Sequence, residues 1–294
     1  MKKDLQKRKE AVKAMQINKI KVDRKYILSS NSGFYLREAY KALRTNVNFS
    51  LADKEGCKTV IVTSAMQSEG KSLTALNLAI SLAQTDIKVI IVDCDLRRPK
   101  INRLLNVSAP CGLSNVLMES HRLDEAIIKS DEHGVDIILS GDVPPNPSEL
   151  LASNRMSELL EKLRERYDFI VIDSPPVDLV IDAVVLAPQS DGILFVVRAD
   201  QSERGAIIHA IEQLEYAKAK VLGFVFNGVN SESGGGYGKY RYKQKGYRRY
   251  GYKSRYGYGY GGYGYRGYGY GYGYGYGRSH HHQSQANPTD NGQR

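Results

Sequence analysis

Six short apolar runs punctuate the chain between Lys58 and Val229: "KTVIVTS", "IKVIIVDCD", "VDIILSG", "YDFIVIDSPP", "DGILFVVRAD" and "AKVLGFVFNGV". Each is continuous rather than alternating, so each is expected to be a strand buried on both faces. Helical spacing marks residues 71–84, residues 203–218 and the run "FYLREAYKALRTNVNFSL", where Leu36, Tyr40, Leu43 and Val47 recur at three or four positions. In "NPSELL", Asn146 suits a helix cap, Pro147 the first helical position and Glu149 the reach back to the cap. Strands covered on both faces by helices make an α/β, doubly wound, mostly parallel sheet. Ligands of such sheets bind beyond the carboxyl ends of the strands.

Composition sets the limits of that domain. From Ser231 onward the chain holds 16 of its 21 tyrosines and 18 of its 28 glycines, but no Leu, Ile, Val, Met or Phe. Too little apolar surface is available there to offset ordering entropy, so residues 231–294 are expected to be a disordered, Tyr/Gly-rich tail. Residues 34–230 are expected to form one domain, and the Lys-rich residues 1–33 a flexible arm. The tail has 11 Lys and Arg against Glu232 and Asp290, a charge of +9, which leaves 31 basic and 30 acidic residues elsewhere. Such a tail favours anionic surfaces such as lipid headgroups, nucleic acid or an acidic partner; the other reading is a tail that is merely solvated. Cys57, Cys94 and Cys111 have no metal-site spacing, and an odd count argues against a secreted disulfide framework. Nothing resembles a signal peptide and no run approaches the roughly 18 apolar residues of a spanning helix. A cytoplasmic protein with peripheral membrane contact is expected. His280, His281 and His282 are read as incidental to function.

Three strand ends carry the chemistry. "TSAMQSEGKS" lies between a strand and a helix, as a phosphate-binding loop does. Backbone N–H groups across Ser64, Ala65, Met66, Gln67, Ser68, Glu69 and Gly70 are expected to face phosphates, with Lys71 reaching the β/γ oxygens and Ser72 ligating Mg²⁺. The general pattern places glycine where this chain has Ala65. In "VDCDLRRP", period-two spacing turns Asp93 and Asp95 to the same side. Two carboxylates there suit Mg²⁺ coordination and acceptance of a hydroxyl proton; the other reading is an acidic loop after a strand. "FIVIDSPP" places Asp173 where a carboxylate would hold the hydration shell of Mg²⁺.

In this order, "TSAMQSEGKS", "VIIVDCDLRRP", "GDVPPNPSELLAS" and "FIVIDSPP" resemble the deviant Walker group of P-loop ATPases, and within it the bacterial tyrosine kinases of capsular and exopolysaccharide export. The resemblance covers residues 34–230. It implies ATP and Mg²⁺ as cofactors, with Lys71, Asp93, Asp95 and Asp173 acting in phosphoryl transfer. It implies autophosphorylation between subunits of the C-terminal cluster Tyr256, Tyr258, Tyr260, Tyr263, Tyr265, Tyr268, Tyr270, Tyr272, Tyr274 and Tyr276. A Glu-x-x-Arg-x-x-Arg helix packs such kinases into rings; its counterparts are Glu38, Lys41 and Arg44, where Lys41 keeps the charge without the bidentate fork. The family's position for adenine contact falls on Asn227, for which a capped strand end is the alternative. A chain of the split type implies a transmembrane polysaccharide co-polymerase as activator, a phosphotyrosine phosphatase, and a location at the inner face of the plasma membrane. Nucleic acid is not among the partners of that reading. The alternative is a partition-type switch ATPase with a lipid- or nucleic-acid-binding tail; Met66 stands where those ATPases carry a signature lysine and argues against it. A scaffold that binds ATP without transferring phosphate is the third reading.

Overall fold

The computed structural model describes residues 22–229. Seven strands, β1 (Lys58–Ser64), β2 (Val89–Asp93), β3 (Ile127–Ile128), β4 (Asp136–Ile138), β5 (Phe169–Asp173), β6 (Gly192–Arg198) and β7 (Val221–Asn227), form one sheet in the order β3-β4-β2-β5-β1-β6-β7. All neighbours run parallel except the short β3, which pairs antiparallel with β4. The expected doubly wound sheet is therefore present.

The continuous apolar strands are explained by cores on both faces. Four longer helices flank the sheet: α1 (Phe34–Ser50), α2 (Lys71–Ala83), α3 (Asn154–Arg164) and α4 (Arg204–Tyr216). Val60, Val62, Ile91 and Val171 pack with Val47 of α1 and with Leu76, Leu78 and Leu82 of α2. The intervening Ile61, Ile90, Val92, Ile170 and Ile172 pack with Met156, Leu160 and Leu163 of α3 and with Ala210 and Leu214 of α4. Every residue of β2 and β5 is buried, as is every residue of β1 and β6 but one at an end, so no polar alternation survives there. The run "AKVLGFVFNGV" departs from the expected burial on both faces: β7 lies at the edge of the sheet order, and its Phe224 and Phe226 are exposed.

Two local expectations need correction. Residues 22–33, assigned to the flexible arm, are docked: Leu28 is buried, its N–H donates to Asn77 Oδ1 at 2.8 Å, and Asn77 Nδ2 donates to the Tyr26 carbonyl at 2.8 Å. The helix at "NPSELL" forms over Pro147–Leu151, but Asn146 gives no side-chain cap. That turn is held from outside instead, where Ser148 Oγ donates to the buried carboxylate of Asp182 and Arg97 bonds both residues. The expected phosphoacceptor tyrosines and the histidine run lie outside the described residues.

Candidate active site

Parallel topology brings the three motif-bearing strands side by side, β2-β5-β1. Asp93 and Asp173 are direct register partners at the ends of β2 and β5. The loop after β1 leads into α2, whose first residues are Lys71 and Ser72. Lys71, Ser72, Asp93, Asp95 and Asp173 consequently gather in one place, and none is more than 4% exposed.

Lys71 is the centre of the cluster. Its Nζ lies 3.0 Å from Asp95 Oδ2, 3.6 Å from Asp173 Oδ1 and 3.5 Å from Ser72 Oγ. Asp93 is tied to the backbone: Oδ1 accepts the Asp95 N–H at 3.1 Å and Oδ2 the Ile101 N–H at 3.3 Å. Asp95 Oδ1 accepts the Arg98 N–H at 3.0 Å. Neither oxygen of Asp173 has a hydrogen-bond partner among the described residues. Two carboxylates thus contact the Lys71 ammonium and a third, Asp93, is buried beside them, so carboxylates outnumber ammonium groups inside the cluster, while Lys100 acts on Asp173 from its edge.

The titration of the cluster follows from that imbalance. Burial, then the charges of Asp173 and Asp95, push the Asp93 carboxyl well above the usual carboxylate range. Burial also raises Asp173, against the opposing pull of Lys71. For Lys71, burial works to lower the pKa, but the carboxylates of Asp173 and Asp95 outweigh it and hold the ammonium above its usual value. Carboxylate oxygens of Asp173 without a hydrogen bond among the described residues, and a cluster richer in carboxylates than in ammonium groups, fit a divalent cation that prefers oxygen ligands. Ser72, Asp173 and Asp93 are the residues that would hold it.

The loop itself is shaped by a left-handed turn. Gly70 has φ 98°, a left-handed conformation that favours glycine, and a Cβ there would lie 2.0 Å from Asn227 Nδ2 and displace that side chain from the loop. Among the described residues, no protein acceptor takes the N–H of Gly70, Lys71 or Ser72. Together with the α2 N-terminus they are free to meet an anion. Met66 differs from the other loop members: its N–H donates to Glu69 Oε2 at 2.7 Å and its carbonyl accepts from Ser64 Oγ at 2.8 Å. Ala65 and Glu69 are buried within the loop. Gln67 Oε1 accepts from Arg98 Nη1 at 2.8 Å. The side chain of Asn227 donates to the Glu69 carbonyl at 2.9 Å, which ties the end of β7 to the loop.

A cavity of about 870 Å³ opens beside Ser68, Gly70, Lys71 and Ser72, with Tyr26, Leu36 and Tyr40 on its apolar side and Arg98, Lys100 and Arg198 on its basic side. That volume lies within the range of small-molecule and cofactor pockets. The sequence reading missed these walls. The paired arginines of "DLRRP", directly after the two aspartates, were the available signal for the basic side. Glu38 and Lys41 pair with one another at 2.8 Å on the exposed face of α1. Arg44 instead donates to the Ser81 carbonyl of α2 within the same chain.

Comparison with known proteins bears on this geometry. A family model described as an AAA domain matches residues 57–223. The tyrosine-protein kinase YwqD of Bacillus subtilis is 37% identical over 206 residues, which cover 70% of this chain and 86% of that protein. The tyrosine-protein kinase CpsD of Streptococcus agalactiae is 36% identical over 204 residues, 69% of this chain and 87% of that one. Among solved structures, the kinase domain of the Escherichia coli tyrosine kinase ETK has a TM-score of 0.65 at 34% identity, over 74% of this chain and 80% of that chain.

Proposed function

The chain belongs to the bacterial tyrosine-protein kinase family, and we propose that it transfers the γ-phosphoryl group of ATP to its own tyrosines between Tyr256 and Tyr276, one subunit acting on another. One observation carries the reading: a lysine, three carboxylates and an acceptor-free loop amide row meet beside a nucleotide-sized cavity. The same chain supplies sixteen tyrosines after residue 230 as candidate acceptors.

In this mechanism the N–H groups of Gly70, Lys71 and Ser72 receive the triphosphate at the α2 N-terminus. Lys71 exchanges Asp95 for phosphate oxygens and stabilises charge on the transferred group. Asp95, released from that ion pair, accepts the proton of the incoming phenol while the phenolic oxygen bonds to phosphorus and the bond to the ADP oxygen breaks. Asp93 holds the Asp95 loop through its backbone bonds. Ser72, Asp173 and Asp93 would hold Mg²⁺, which would supply neutralisation of the phosphate charge.

The reading extends to capsule or exopolysaccharide synthesis and export at the inner face of the plasma membrane. A transmembrane polysaccharide co-polymerase activates the kinase, a phosphotyrosine phosphatase reverses it, and Glu38, Lys41 and Arg44 contribute to a ring of subunits. For that ring Arg44 must trade its bond to the Ser81 carbonyl for a partner's acceptor. No helix among the described residues is long and apolar enough to cross a membrane.

The test is incubation of the full chain with ATP and Mg²⁺, with and without the activator segment, followed by mass-spectrometric mapping of phosphate. Labelling of tail tyrosines is expected, and Lys71→Met abolishes it. Labelling of the Lys71→Met chain by active protein in a mixture demonstrates transfer between subunits. ATP hydrolysis with unmodified tyrosines refutes the kinase reading in favour of a switch ATPase.

A further inference from the structure

The phosphate loop carries two left-handed residues, Ser68 at φ 69° and Gly70 at φ 98°. A non-glycine residue holds that conformation only where its surroundings over-determine it. The constraint comes from outside the loop, from the segment joining β6 to α4. Ser202 Oγ donates to Glu69 Oε1 and itself accepts the Arg198 N–H at 2.8 Å. Gln201 Nε2 donates to the Gln67 carbonyl at 3.0 Å. Glu69 is fully buried and, among the described residues, makes no ion pair; its second oxygen takes the Met66 N–H.

We propose that Ser202, acting through Glu69, and Gln201 are positioning residues that set the affinity of the loop for the triphosphate. The inference rests on the nucleotide-binding reading above. A carboxylate inside a phosphate loop is adverse unless both its oxygens are engaged. Here one oxygen is held by Ser202 and the other by Met66, so the carboxylate leaves the N–H groups of Gly70, Lys71 and Ser72 to the ligand. Without the Ser202 hydroxyl, the freed Glu69 oxygen becomes an internal competitor for those same donors. The carboxylate then opposes ATP in two ways, by charge and by occupying its donors.

Calorimetric titration of Mg-ATP into the full chain tests this, alongside the steady-state KM for ATP and the melting temperature of the nucleotide-free protein. Ser202→Ala weakens ATP binding about tenfold, equivalent to about 1.4 kcal/mol. KM rises in step while kcat at saturating ATP is retained, and Ser202→Thr, which keeps the hydroxyl, restores affinity. Gln201→Ala, at an exposed position, weakens binding several-fold and decides the question should Ser202→Ala fail to fold. Parental affinity in both variants, or a lowered melting temperature with unchanged affinity, overturns the proposal. A parent chain that binds no ATP sinks the nucleotide reading and this inference together.

Discussion

Asp173, in the proposed site, sets the demands of a ligand against those of the fold. Its carboxylate is fully buried, faces Lys71 Nζ at 3.6 Å without a hydrogen bond to either oxygen among the described residues, and has its pKa raised by burial from the ordinary 3.8. A raised carboxyl favours folding while protonated. That contribution is present below about pH 3.8 and is lost as the pH rises through the folded value. At neutral pH the nucleotide-free protein therefore carries a penalty, which Asp173→Asn removes. The variant is expected to be more stable by on the order of 1 kcal/mol, or about 2–4 °C in Tm for a domain of this size. Its advantage should shrink toward pH 4 in denaturant titrations, and its phosphotransfer should be lost. Equal stability of parent and variant across that range would contradict the account. Asp95 predicts a different separation. Its Oδ2 holds Lys71 at 3.0 Å before ATP arrives. Asp95→Asn weakens that hold, so ATP should bind at least as tightly, while transfer falls about 10²–10⁴-fold with loss of the proposed proton acceptor. Loss of ATP binding in Asp95→Asn would assign the residue to the ligand instead of the reaction.

At the scale of elements, α2 joins the site to the N-terminal segment. Asn77 interrupts the apolar run "TALNLAIS", where a strong core helix has no use for an amide. It bonds the backbone of both Tyr26 and Leu28, so Asn77→Ala leaves a buried N–H without its partner. A loss of about 1–3 kcal/mol is expected, read by urea unfolding, with faster tryptic cleavage at Arg24 and Lys25. Unchanged cleavage would mean that other contacts suffice to dock residues 22–33. The case also marks where sequence reasoning succeeds and where it ends. β1 and α2 were legible nearly to the residue because continuous burial and helical periodicity are local signals. Asp93 and Asp173 were legible because parallel topology places strand ends together. The two-residue β3 carried too little pattern to be seen, and the expected cap at Asn146 lost to the Arg97–Ser148–Asp182 network. The clamp on the loop was invisible for a physical reason: it joins Glu69 to Ser202 and Asn227 across 133 and 158 positions, with no local pattern to signal it.

For the whole molecule, charge is divided by region. Residues 22–229 hold 23 basic and 28 acidic side chains, residues 1–21 eight and two, and residues 231–294 eleven and two. The near-neutral sum over residues 1–230 therefore hides a described region of −5 and a first segment of +6, with the tail at +9. Any attraction to an anionic surface is expected from the two ends, since the region between them carries a net −5. Each phosphotyrosine adds about −1.5 to −2 charges at neutral pH, so roughly five or six cancel the tail's share. Phosphorylation should weaken binding to anionic vesicles in graded steps without abolishing it, because the +6 of residues 1–21 is untouched. Removal of both ends should abolish it. Flotation at several salt concentrations separates these cases, since a surface attraction of this kind decays over a Debye length of about 10 Å at 0.1 M salt. Full retention of binding by a tail carrying six or more phosphates would show that apolar or tyrosine contacts, not charge, hold the protein at the surface.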